Sequence, residues 1–81
     1  NQTRIYLQAS DHSGVLHVLL EHTMPNFSHF SVQVDGAEWQ ELREVEMEWK
    51  LQLGPNRLAV RAVNVFGREG RTSHAEIACE R

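Results

Sequence analysis

The stretch Glu46-Met47-Glu48-Trp49-Lys50-Leu51-Gln52-Leu53 alternates polar and apolar residues without error over eight positions. Successive side chains of an extended chain point to opposite faces, so a period of two marks a strand with one wet and one dry face. The pattern puts Met47, Trp49, Leu51 and Leu53 against a core, and further strands must share that core.

The same reading finds those strands. Gly54-Pro55-Asn56 reads as a turn, and Arg57 to Asn64 alternates again, with Leu58, Val60 and Ala62 on one face and Arg57, Ala59 and Arg61 on the other. Upstream, His29 to Val34 puts Phe30, Val32 and Val34 on one face. Asp35-Gly36 follows as a tight hairpin turn, and Ala37 to Leu42 reads as the returning strand with Trp39 beside the turn. Arg4 to Ala9 reads as a first strand and Thr72 to Cys79 as a last one. Val15 to His22 suits a short buried strand or one face of a helix; its length between Gly14 and Pro25 and the strands around it favour a strand. The expectation is an all-β, seven-stranded antiparallel sandwich, since turn signals recur at roughly 8 to 12 residues.

Length bounds this further. Residues 1–81 suffice for a single domain of 9.3 kDa whose core is marginal without support. One cysteine, Cys79, excludes an internal disulfide, and no apolar run is long enough to insert in a membrane. The chain does not begin with Met, and we expect it to be processed or excised from a larger protein.

The net charge of −3 argues against a nucleic-acid partner, which needs a basic surface. The charges are uneven. Six acids (Asp35, Glu38, Glu41, Glu44, Glu46 and Glu48) face one Arg43 between residues 35 and 48, whereas residues 57 to 81 hold five arginines against three glutamates. If these stretches are neighbouring strands, the ordinary consequence is cross-strand pairing on a solvated face. The functional alternative is an arginine patch for an acidic polysaccharide, with Trp39, Arg57, Arg61 and Arg68 as the contact residues.

Gly54 to Gly67, with its Val60-Arg61-Ala62-Val63-Asn64 ending, and the glycine-bearing loop through Gly70 to Ser73 resemble the penultimate strand and last loop of fibronectin type III and related immunoglobulin-like domains. Val34 to Trp39 followed by Trp49-Lys50-Leu51 resembles the variant appended to bacterial sensor, transglutaminase-like and polysaccharide-processing proteins. The resemblance implies a non-catalytic accessory module, extracellular, periplasmic or at the cell surface, that spaces or buttresses neighbouring domains or contacts a protein partner. The chain departs from the family pattern in lacking a Trp on Val15 to His22. Asn56 stands about where a Tyr would open the sixth strand, and there is no Arg-Gly-Asp triplet.

Catalytic and metal chemistry find little footing. His12, His17, His22, His29 and His74 lack ligand spacing, and on one strand His17 and His22 point to opposite faces. No nucleophile motif or phosphate-binding glycine loop accompanies Cys79, and the many carboxylates lie on a wet face rather than in a desolvating cleft. We therefore expect no enzyme activity and no cofactor. Trp49 belongs by parity to the core, while Trp39, among Glu38, Gln40 and Glu41, is open to a rim position and to sugar stacking. Asn1-Gln2-Thr3 and Asn26-Phe27-Ser28 fit the N-glycosylation pattern, which matters only for a secreted eukaryotic source.

Overall fold

The computed structural model describes residues 2–80 and is all-β. Its strands are β1 (Thr3–Ala9), β2 (Val15–His22), β3 (Phe27–Val34), β4 (Gln40–Leu42), β5 (Glu46–Lys50), β6 (Gly54–Asn64) and β7 (Ser73–Cys79). They form two antiparallel sheets, one in the order β1-β2-β5 and the other β4-β3-β6-β7. The ambiguous segment from Val15 is a strand, pairing with β1 through Leu20↔Ile5 and with β5 through Leu16↔Trp49.

The period-two reading succeeds where the core lies. Val18, Leu20 and Trp49 from the first sheet meet Phe30, Val32, Leu58, Val60 and Ala62 from the second in one buried cluster, closed at one end by Met24. Trp49 is 1% exposed, and its indole Nε1 is buried without a hydrogen-bond partner. The half-buried His22 ring stacks on Phe27 at 3.8 Å between centroids and accepts the Met24 amide on Nδ1 at 3.2 Å, so the β2–β3 corner is sealed by aromatic contact.

Three local expectations are corrected. The alternating strand stops at Lys50, and Leu53 is 60% exposed rather than in the core. The chain turns there: Leu51 donates its last sheet-like bond to the Gly14 carbonyl, and Gln52 is captured by Asn56. Gly54-Pro55-Asn56 opens β6 instead of forming the turn. Proline is tolerated there because β6 pairs only with β7 until Leu58 meets Val34, which leaves one side of Pro55 without a strand to bond. The strand expected over Ala37 to Leu42 shrinks to Gln40–Leu42.

Asp35 and Gly36 both have positive φ, 52° and 75°, as a two-residue hairpin turn requires, and Ala37 N–H closes it onto the Val34 carbonyl at 3.0 Å. Asp35 also exchanges bonds with Arg57: its amide donates to the Arg57 carbonyl and its carboxylate accepts the Arg57 amide, both at 2.8 Å. The turn is thereby fastened to β6 beyond the last β3–β6 pair. Across the sheets, the Ser73 hydroxyl donates to the Thr3 carbonyl, tying β7 to β1. The body measures 43 × 23 × 16 Å. β1 starts where β2 ends (Thr3↔His22), whereas β7 ends where β6 begins (Cys79↔Gly54). β1 and β7 therefore run the same way, from Thr3 beside Ser73 to Cys79 about 20 Å further along.

Candidate functional site

Strand parity sends Asn56, Leu58, Val60 and Ala62 inward and Arg57, Ala59, Arg61 and Val63 onto the outer face of the four-stranded sheet. That face is partly closed: Ala59 is 3% exposed, flanked in register by Gln33 and His74.

Trp39 is half-buried and lies against this face, not in the core. The Arg61 guanidinium sits over its ring, 3.9 Å from the centroid. Register explains the reach: Ser31, the residue between Arg61 on β6 and Glu41 on β4, is small, so Trp39 just before β4 folds across β3. The Arg61 Nη2 meets Glu69 at 2.7 Å, because the β6–β7 loop folds back through a Val63↔Glu69 bridge. Arg61 is thus held between a π face and a carboxylate with a side-chain exposure of 23%, and its Nε is buried without a partner. A stacked, paired and half-desolvated arginine is a structural member more than a free ligand donor.

The remaining candidates are not gathered beside it. Arg57, four positions along β6 and so about 13 Å away, pairs loosely with Glu76 at 3.6 Å. Arg68 stands on the β6–β7 loop, where its amide and carbonyl bond to Asn64 at 2.9 Å each. The arginine partners also differ from those expected. β5 lies in the other sheet and β4 is separated from β6 by β3, so the acids between residues 35 and 48 do not line up against the arginines. Glu41 pairs instead with Arg43 at 2.7 Å and His29 at 3.7 Å, and Glu46 with His17 at 3.3 Å. Arg4, exposed on β1, is raised above its ordinary proton affinity by hydrogen bonding and charge from Tyr6 and then by Glu21. Arg81 and Asn1, the latter heading one glycosylation pattern, lie outside the described residues. Asn26, heading the other, is exposed in the β2–β3 loop with its carbonyl accepting the Val65 amide at 2.8 Å.

Beside Arg57 the outer face opens into a shallow groove of about 690 Å³ lined by Gln33, Asp35, Arg57, His74 and Glu76 over an Ala59 floor. Its walls mix both charge signs with amide and imidazole groups. No group of three metal-ligating side chains converges among the described residues.

Sequence reasoning placed Asn56 in a turn, at about the position of a family tyrosine, and missed its bonding role. At 2% exposure, its carbonyl oxygen accepts the Gln52 amide at 2.8 Å, and its Nδ2 donates to the carbonyls of Gln52 at 2.9 Å, Gly54 at 3.0 Å and Ile77 at 3.4 Å. One side chain satisfies the β5–β6 turn and pins it to β7. The available signal was its position opening an alternating strand, which hydropathy alone reads as a turn.

The chain matches no family model, and comparison with curated proteins and with solved structures finds no similar protein.

Proposed function

We propose that this chain is a fibronectin type III-like module of a larger, exported protein, acting without catalysis as a spacer and contact surface between neighbouring domains. The observation that carries the reading is that β1 and β7 run the same way, so the chain enters on one side of the body and leaves on the other. Thr3 sits beside Ser73 and Cys79 lies six residues further along β7, so a chain passing through such a module enters and leaves about 20 Å apart along the strand direction. Supporting the family part of the reading, Asn56 bonds back to the backbone four residues upstream. This is the service that a tyrosine performs near the start of the sixth strand of immunoglobulin-like sandwiches. The fourth strand pairs with β3 rather than joining β1, β2 and β5 as in constant-type immunoglobulin domains, so the fibronectin-type branch of the resemblance is preferred.

The second reading is a module binding acidic polysaccharide through Trp39, Arg57, Arg61 and Arg68, favoured by the groove beside Arg57. The spacer reading ranks first because Arg61 and Arg57 are already engaged by Glu69 and Glu76. Heparin chromatography at about 20 mM salt, where exposed charges reach well beyond 10 Å, separates the two. We expect no retention. Retention by the native chain that disappears when Arg57, Arg61 and Arg68 are all replaced by Gln would reverse the order.

A further inference from the structure

The most exposed large apolar side chain is Phe66, 77% exposed, with Val65 beside it. Exposure of this kind is ordinary on a mobile loop, but this turn is tightly bonded. The Asn64 side-chain oxygen accepts the amides of Phe66 and Arg68, both at 2.9 Å, and its carbonyl accepts the Gly67 amide at 3.0 Å. Asn64 N–H donates to the Arg68 carbonyl at 2.9 Å, and Val65 N–H is held by Asn26. The ordering cost that weakens most loop contacts is already met within the fold, which is the condition for an anchor residue. Arg68 and Arg71 flank the turn, exposed, and among the described residues neither has a carboxylate within 4.0 Å.

Elsewhere on the same chain is a cleft of matching size and opposite charge. β4 and β5 are edge strands of the two different sheets, and a cleft opens between them. The opening is lined by Val32, Val34, Leu42 and Met47 and has a volume of about 170 Å³, with Glu38 at its rim and Glu41 beside it already held by Arg43. An apolar cavity of about 150 Å³ accommodates a benzene ring. We propose that the Phe66 turn of one copy of this chain seats in the β4–β5 cleft of a second copy, with Arg68 and Arg71 toward Glu38. Knob and hole lie on different surfaces, so the contact is heterologous and propagates from copy to copy instead of closing on a two-fold axis. One turn in one cleft is a small interface, at the weak and transient end of the scale. This inference stands apart from the spacer reading, and either can fail without the other.

The test is sedimentation velocity of the chain from about 20 μM to about 1 mM at low salt, a range suited to weak contacts. Average mass should rise with concentration past the dimer, and added salt should suppress the rise. Phe66→Ala, at an exposed position, should weaken association at least tenfold, as should Ala37→Trp, which blocks the mouth of the cleft. Glu38→Arg, an exposed change that leaves the cleft unfilled, should do the same if Ala37→Trp perturbs folding. Mixing F66A with A37W, or with E38R in its place, should restore a 1:1 heterodimer that grows no further, because each supplies the half the other lacks. A monomer throughout the range, association indifferent to Phe66→Ala, or a mixture that stays monomeric would overturn the proposal.

Discussion

Replacing Asn56 by Ala tests whether one buried amide holds the β5–β6 corner. The two shortest bonds, from the Gln52 amide and to the Gln52 carbonyl, contribute about 1 kcal/mol each, and the shared donation to Gly54 and Ile77 adds a fraction more. The expected loss is therefore about 2 to 3 kcal/mol. At about 0.05 to 0.15 kcal/mol per residue, 81 residues have a total of about 4 to 12 kcal/mol, so the variant keeps its fold with a thin margin. In urea, with a slope near 1 kcal/mol per molar for so small a domain, the midpoint should fall by about 2 to 3 M with the slope unchanged. The melting temperature should fall by roughly 10 to 20 °C. Asn56→Asp sharpens the test: it keeps an acceptor for the Gln52 amide but turns a charge toward three carbonyls. The carboxyl is favoured protonated in the folded state, so stability should be highest at low pH and be lost as pH rises through the carboxyl range. A loss below about 0.5 kcal/mol for Asn56→Ala, or no pH dependence in N56D beyond that of the native chain, would refute the corner's importance.

Trp49→Ala should cost about 3 to 5 kcal/mol and, with total stability near the low end of about 4 to 12 kcal/mol, leave the chain largely unfolded by circular dichroism. Trp49→Phe should cost clearly less, since it also removes the unpartnered indole N–H, and equal losses in the two variants would contradict that account. Arg61→Ala should lower stability by about 1 to 2 kcal/mol in thermal unfolding through loss of the Trp39 stack and the Glu69 pair; an unchanged melting temperature would show that neither matters. Excess EDTA should leave the melting temperature unmoved, whereas a fall of many degrees would reveal a metal contributing to folding.

Period and parity reached most of the core, because burial of Met47, Trp49, Leu58, Val60 and Ala62 is decided by which side of a strand each residue occupies. The limits have equally local causes. Leu53 continued the pattern after the strand had ended, since hydropathy carries no record of where the Gln52 backbone is captured. Trp39 and Arg61 are 22 positions apart, and their stack depends on a small residue on the intervening strand, a relation visible only once register is known. The arginine and acid blocks looked complementary along the chain, but sheet order separated them. Phe66 is held outward by an Asx-turn at Asn64, which an asparagine two residues ahead permits, and by the Val65 bond to Asn26, a partner far away in sequence that only the fold reveals.

The opposed ends of β1 and β7 also determine how the fold would meet a pulling force. Tension between Thr3 and Cys79 runs along both strands, and the hydrogen bonds of the β1–β2 and β6–β7 ladders lie across that direction. The bonds of each ladder are then loaded together in shear instead of being opened one at a time as in a zipper. Rupture requires Thr3 to Ala9 to slide against β2, or Ser73 to Cys79 against β6, as a unit, and the Ser73–Thr3 bond couples the two strands at one end. Lifetime under load is governed by the unfolding rate rather than by equilibrium stability. A domain with a modest equilibrium margin can for that reason still be a stiff, long-lived link when pulled from its ends.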